Sequence, residues 1–119
     1  MANQVVWFDI PAVDLDRAIR FYSAILGAPV SKDEMPGMAM GVLLHEGEDV
    51  GGCIYVSEVS PSDQGPLLYF NCQGRLDEAI AAVVPNGGTI LQPKHTIGPY
   101  GSRAIVLDSE GNRIALHSR

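Results

Sequence analysis

Two cysteines and a single tryptophan in 119 residues set the first limits on this chain. Cys53 and Cys72 are too few for a disulfide framework, and each lies in an apolar run where a free thiol behaves as a small hydrophobe. Two buried free thiols are therefore expected, as in a reducing compartment. Basic residues are scarce too: eight Lys and Arg stand against fourteen Asp and Glu, for a formal net charge of −6. They are scattered along the chain, so no basic patch for phosphate is present and nucleic acid is not an expected partner. No run approaches the ~18 apolar residues of a membrane span, and no basic segment followed by an apolar one opens the sequence. The expectation is a cytoplasmic protein with no membrane partner. Gly-rich phosphate loops are missing, as are a His-x-x-x-His pair and any local Ser-His-Asp or Cys-His signature.

What the chain does contain is an internal repeat. Val5 to Ile10 reads as a strand and leads into Leu15-Asp16-Arg17-Ala18-Ile19. Sixty-one residues later, Leu67 to Cys72 leads into Leu76-Asp77-Glu78-Ala79-Ile80. In the first helix Asp14 is a candidate N-cap and Gly27 the stop, with Ala18, Phe21, Tyr22 and Ile25 forming an apolar stripe. The second helix is shorter, ended by Pro85 and Asn86-Gly87-Gly88. Strands are expected near Pro29 to Lys32, over Met38 to His45 and Gly51 to Ser57, at Thr89-Ile90-Leu91, and over Arg103 to Leu107 and Arg113 to His117. The last two flank the turn Asp108-Ser109-Glu110-Gly111-Asn112. The order is β-α-β-β-β, twice, over about 1–57 and 67–119, joined by a Ser/Pro/Asp/Gly-rich linker at 58–66. Neither half has enough residues to bury a core alone, so the chain reads as one α+β domain: two βαβββ modules forming an open curved mixed sheet with helices outside.

Alternation assigns faces. Val6, Phe8 and Ile10 should pack on a helix, leaving Val5, Trp7 and Asp9 on the opposite face. By the same rule Tyr69 and Asn71 face away from the helix, as do Ala115 and His117, and Arg103 shares a face with Ile105 and Leu107. This partly polar concave face is the expected ligand cleft. Asp9 and His117 are candidate catalytic residues, since a carboxylate and an imidazole in contact can do acid-base work; alternatively His117 is simply solvated. Arg103 is a candidate anchor for a carboxylate or phosphate, or else forms a salt bridge to an acidic residue. Trp7, Tyr55, Tyr69 and Tyr100 can wall a ligand or serve packing, and Asn71 adds a donor and an acceptor. The segment Pro93 to Gly101 reads as a loop, either a lid or a tight connection.

The run Trp7-Phe8-Asp9-Ile10 through Asp14-Leu15-Asp16-Arg17-Ala18 to Phe21-Tyr22 and Leu26-Gly27, with the ending Asp108-Ser109-Glu110-Gly111-Asn112-Arg113-Ile114-Ala115-Leu116, resembles the glyoxalase/bleomycin-resistance/extradiol-dioxygenase group, the vicinal oxygen chelate superfamily. Within it, the chain looks most like bacterial proteins related to lactoylglutathione lyase. The resemblance implies paired βαβββ modules, a homodimer and, in the enzymes, a divalent metal held by His, Glu or Gln from four strands. Carried over by position, those ligands fall on Trp7, on Gly51-Gly52-Cys53, on Leu67 or Leu68, and on Ala115. None supplies an imidazole or a carboxylate, so no metal and no other cofactor is expected. His45, His95 and His117 are the only imidazoles and read as surface or cleft residues. The functional expectation is a metal-independent small-molecule-binding protein or enzyme. Its organic ligand would lie among Trp7, Asp9, Tyr55, Tyr69, Asn71, Arg103 and His117. The alternatives are a glyoxalase-type lyase or isomerase with a metal on unrecognised ligands, and an antibiotic-sequestering protein.

Overall fold

The structure, a computed structural model, describes residues 3–47 and 49–119. Helix α1 (Leu15–Leu26) begins where Asp14, in extended conformation, accepts the Arg17 N–H at 3.1 Å, filling one of the donors a helix start leaves unpaired. It ends on Gly27 at φ 64°, a left-handed conformation that costs glycine little. A side chain at 27 would also strike Arg75, whose guanidinium lies 2.8 Å from where a Cβ would stand and donates to the Ile25 carbonyl at the helix end. Ala18, Phe21, Tyr22 and Ile25 are all buried, as the apolar stripe requires.

β1 (Trp7–Ala12), β2 (Ser31–Met35), β3 (Met38–Val42) and β4 (Gly51–Val56) form one sheet in the order β1-β4-β3-β2. β5 (Leu68–Asn71), β6 (Thr89–Thr96), β7 (Ser102–Leu107) and β8 (Arg113–Ser118) form a second in the order β5-β8-β7-β6. In both, the first and last strands of the module pair in parallel and the others antiparallel. The fold is α+β, built of two βαβββ modules, and the hydrogen bonding divides it into two four-stranded sheets. Helix α2 (Leu76–Val83) gives way to a 3-10 turn, Val84–Asn86, at Pro85.

The expected loop from Pro93 differs. β6 continues through Pro93 to Thr96, pairing His95 with Arg103 and Thr96 with Ser102. Proline is tolerated there because β6 is an edge strand and the register shifts between Gln92 and His95, so no ladder N–H is required of residue 93. Of the expected loop, lid or tight connection, the short 3-10 turn Gly98–Tyr100 is what stands between β6 and β7.

The two helices pack against each other, α1 also against one face of the first sheet and α2 against one face of the second, and a single core runs through the two modules. β1 and β5, the terminal strands of their sheets, come together where Phe8 packs edge-on to Phe70 at 5.9 Å. Gly52 makes room for Phe8, whose ring carbons lie 2.5 Å from where a Cβ would stand.

A polar latch joins the modules. Glu110, its side chain fully buried, accepts the Val13 and Asp14 N–H groups at 2.8 and 2.7 Å and the Arg17 guanidinium at 2.7 Å. Burial alone would raise its pKa, but bonds from Arg17, the Asp14 N–H, Ser109 and the Val13 N–H hold the carboxyl down at about 2. Beside it, Asp108 accepts the buried Tyr22 hydroxyl at 2.5 Å and the N–H groups of Glu110 and Asn112, while Asn112 donates to the Pro11 carbonyl at 2.8 Å. The Asp-Ser-Glu-Gly-Asn turn thus joins β1 and α1 of the first module to the β7–β8 end of the second. Among the described residues no helix is long and apolar enough to cross a membrane.

Candidate functional site

The faces of both sheets turned away from the helices carry the sequence-predicted site residues. Trp7 and Asp9 on β1 and Tyr55 on β4 lie on the first sheet. Register sets Trp7 beside Gly51, Asp9 beside Cys53 and Pro11 beside Tyr55. Asp9 Oδ1 accepts both the Trp7 indole N–H at 3.1 Å and the Cys53 thiol at 3.2 Å. Burial raises the Cys53 pKa, and the Asp9 carboxylate adds to the effect, so the thiol is pushed up to about 11. Trp7 also meets His45 edge-on at 5.6 Å, and the His45 Nδ1–H donates to the Leu43 carbonyl. Trp7, Asp9, Cys53, Tyr55, Met38 and Met40 enclose a hollow of about 230 Å³.

On the second sheet the residues form a connected group. Arg103 on β7 stands between His95 on β6 and His117 on β8, and Asn71 on β5 pairs with His117. Arg103 Nε donates to His95 Nε2 at 2.9 Å, and Nη1 donates to the Tyr69 hydroxyl. His95 can accept because its Nδ1–H is engaged with the Pro93 carbonyl at 2.9 Å. The Tyr69 ring meets His117 edge-on at 6.0 Å, and His117 Nε2–H donates to the Tyr100 carbonyl at 2.6 Å. Asn71 is partly occupied locally, its Oδ1 accepting the Gln73 N–H.

The structure therefore gathers Trp7, Asp9 and Tyr55 in one group and Tyr69, Asn71, Arg103 and His117 in another. No hydrogen bond joins Asp9 to His117: the first is engaged by Trp7 and Cys53, the second by Tyr100. Two hollows take residues from both β1 and β5: one of about 420 Å³, lined by Phe8, Leu43, Leu68, Tyr69 and Asn71 among others, and one of about 340 Å³, lined by Asp9, Pro11, Gln64, Leu68 and Arg113 among others. Sequence reasoning had placed His95 near a loop and Cys53 in the packing. Alternation within β4 could have set Cys53 beside Tyr55 on the open face, whereas His95 became visible only with the extent of β6.

The residues present do not fit the divalent ion that the resemblance implies. Ala115 is fully buried, its methyl flanked by Tyr69 and Ile105 through strand register. Trp7 uses its one polar atom on Asp9, and Gly51 and Gly52 have no side chain. Among the described residues no three of His, Cys, Asp and Glu are grouped as ligands.

Comparison with known proteins agrees with this architecture. A chain of 32% identity over 125 residues, the glyoxylase-like domain-containing protein of Didymella fabae, is matched over 98% of this chain and 94% of its own length. "Putative glyoxylase CFP32" of Mycobacterium bovis is 25% identical over 115 residues, and this chain spans only 43% of that protein's length. Among solved structures, a glyoxalase/bleomycin resistance protein from Albidiferax ferrireducens T118 superposes with a TM-score of 0.79 at 21% identity, covering 98% of this chain and 99% of the other. The model of the Glyoxalase/Bleomycin resistance protein/Dioxygenase superfamily matches residues 4–116, and with that match over nearly its whole length the chain belongs to this superfamily.

Proposed function

We propose that this protein binds a small organic molecule on the open side of its two sheets without a divalent metal, in a homodimer of the cytoplasm. The observation that carries the reading is the identity and bonding of the residues at the superfamily's ligand positions. Trp7 and Ala115 offer no ligand atoms, while hydrogen-bonded polar and aromatic side chains stand around them on the same faces. Trp7 and Tyr69 are 42% and 48% exposed there, which leaves aromatic surface open to an organic ligand.

Trp7 is the sole tryptophan and reports on that face directly. Elemental analysis of the purified protein should find no stoichiometric Zn, Ni, Fe or Mn. A ligand found by calorimetry should change Trp7 emission and raise the thermal midpoint, because binding to the native state alone stabilises it. One metal ion per chain retained after dialysis, or a bound ligand to which Trp7 is indifferent, would overturn the reading.

A further inference from the structure

Among the described residues Arg103 is one of five cationic side chains that reach no carboxylate, with Arg20, Arg75, Arg113 and Arg119, and it is the one of them held in place by two side-chain acceptors on the open face. Arg17, Lys32 and Lys94 each reach a carboxylate. Arg103 is held instead by two neutral acceptors, His95 Nε2 and the Tyr69 hydroxyl, and its Cζ lies 5.8 Å from the centre of the Tyr69 ring. Among the described residues no carboxylate lies within ion-pair distance of it and no protein acceptor meets its Nη2. β5, β7 and β8 carry no Asp or Glu at all, although the chain's net charge is −6. Arg113 stands on the same face, which is therefore basic within an acidic protein.

Such a guanidinium is half-buried, fixed in direction by neighbours that add no negative charge, and left with free donors on an open face. It is preorganised for an anion. Resting on the reading that this open side is the ligand face, we propose that Arg103 is the anion-binding residue of the site. The ligand is then an organic anion whose carboxylate or phosphate oxygens accept from Nη2, with the Tyr69 hydroxyl alongside. His95 acts as a positioning residue, because its tautomer turns the fork. A carboxylate suits the planar fork best, since two parallel N–H···O bonds give geometry as well as energy. The competing occupant is an acidic side chain of a second copy, for which Asp9 and Asp33 on the open face of the first sheet are the candidates.

The probes are benzoate and benzamide, close in shape and different in charge, with inorganic phosphate as a third arm. Each is titrated into the full ¹⁵N-labelled chain while the Arg103 Nε–H signal is followed. Benzoate should move that signal and bind at least about tenfold more tightly than benzamide, the scale of one charge-assisted hydrogen bond. Arg103→Gln should abolish the preference, Arg103→Lys should keep part of it, and Arg20→Gln, on the exposed side of α1, should leave it intact. Phosphate moving the same signal as strongly as benzoate supports a phosphate-bearing ligand, and a response to benzoate alone supports a carboxylate. Equal affinity for benzoate and benzamide in the unmodified protein overturns the proposal while leaving the ligand face in place. So does an Arg103→Gln variant that loses its dimer but keeps the preference, which would assign Arg103 to a partner's acid. Failure of all three probes to reach either open face overturns it as well, and the Trp7 assay then decides the wider reading separately.

Discussion

At the scale of single residues, Asp9 shows how a carboxylate on an open face can be structural and chemically suppressive at once. One oxygen holds the Trp7 indole and the Cys53 thiol, and the neighbouring negative charge works with burial to keep that thiol protonated. The thiolate is the reactive form, and a shift from the ordinary value of 9 to about 11 leaves on the order of a hundredfold less of it at pH 8. Iodoacetamide at pH 8 should therefore label Cys53 on the order of a hundredfold more slowly in the native protein than in the urea-unfolded chain, read by mass spectrometry of the Cys53 peptide. Asp9→Asn removes the charge, lowers the thiol pKa and should speed the labelling. Native and unfolded chains reacting at one rate would show that Cys53 is open to solvent as thiolate. The side on which these residues lie was legible in the sequence, because alternation needs only local order. Their bonding was not, because it depends on which residue of β4 stands opposite Asp9.

At the scale of elements, α1 was legible at both ends and on its buried stripe, since Asp14, Gly27 and the 3.6-residue spacing are local signals. β6 was not, because Pro93 ordinarily argues against a strand and only the neighbouring β7 supplies the pairing that overrides it. The turn between β7 and β8 was visible as a turn, whereas its bonds to residues nearly a hundred positions away were invisible. Those bonds make a stability prediction. A carboxyl whose folded pKa is depressed contributes fully above its unfolded value and loses the contribution as pH falls through the folded one. For Glu110 that window runs from the ordinary 4.5 down to about 2. Glu110→Gln should lower unfolding stability at pH 7 by about 1–2 kcal/mol, because a neutral amide accepts the Val13 and Asp14 N–H groups more weakly than the buried carboxylate, while the Arg17 partner is partly exposed and screened by solvent. Urea unfolding at pH 7 and pH 3 is the measurement. The unmodified protein should lose more stability on acidification than the variant, and equal losses would show that the latch is not what titrates.

At the scale of the whole molecule, the two open faces differ in charge. Asp9 and, by its register with Met40, Asp33 lie on the open face of the first sheet, while Arg103, Arg113, His95 and His117 stand on the second. Apolar side chains are exposed on the same side: Trp7, Met38 and Tyr69 on the strands and Tyr100 at the turn before β7. A surface with opposed charges on its two halves and aromatic residues between them is suited to border its counterpart in a second copy related by a two-fold axis, acidic half across from basic half, with Arg103 left open to the ligand in the cleft between them. β2 and β6 are also edge strands, with ladder groups that a neighbour can cover. The protein should therefore run as a homodimer, with light scattering at micromolar concentration giving twice the 12.7 kDa of one chain. Because part of the attraction is between charges partly open to solvent, raising salt to ~1 M, where the screening length falls to ~3 Å, should weaken the dimer. A substitution that reverses charge on one face, Asp33→Lys, should weaken it further, and the weakening should shrink at high salt. A mass of one chain at micromolar concentration would remove the homodimer. A dimer indifferent to both salt and Asp33→Lys would place its interface away from these two faces.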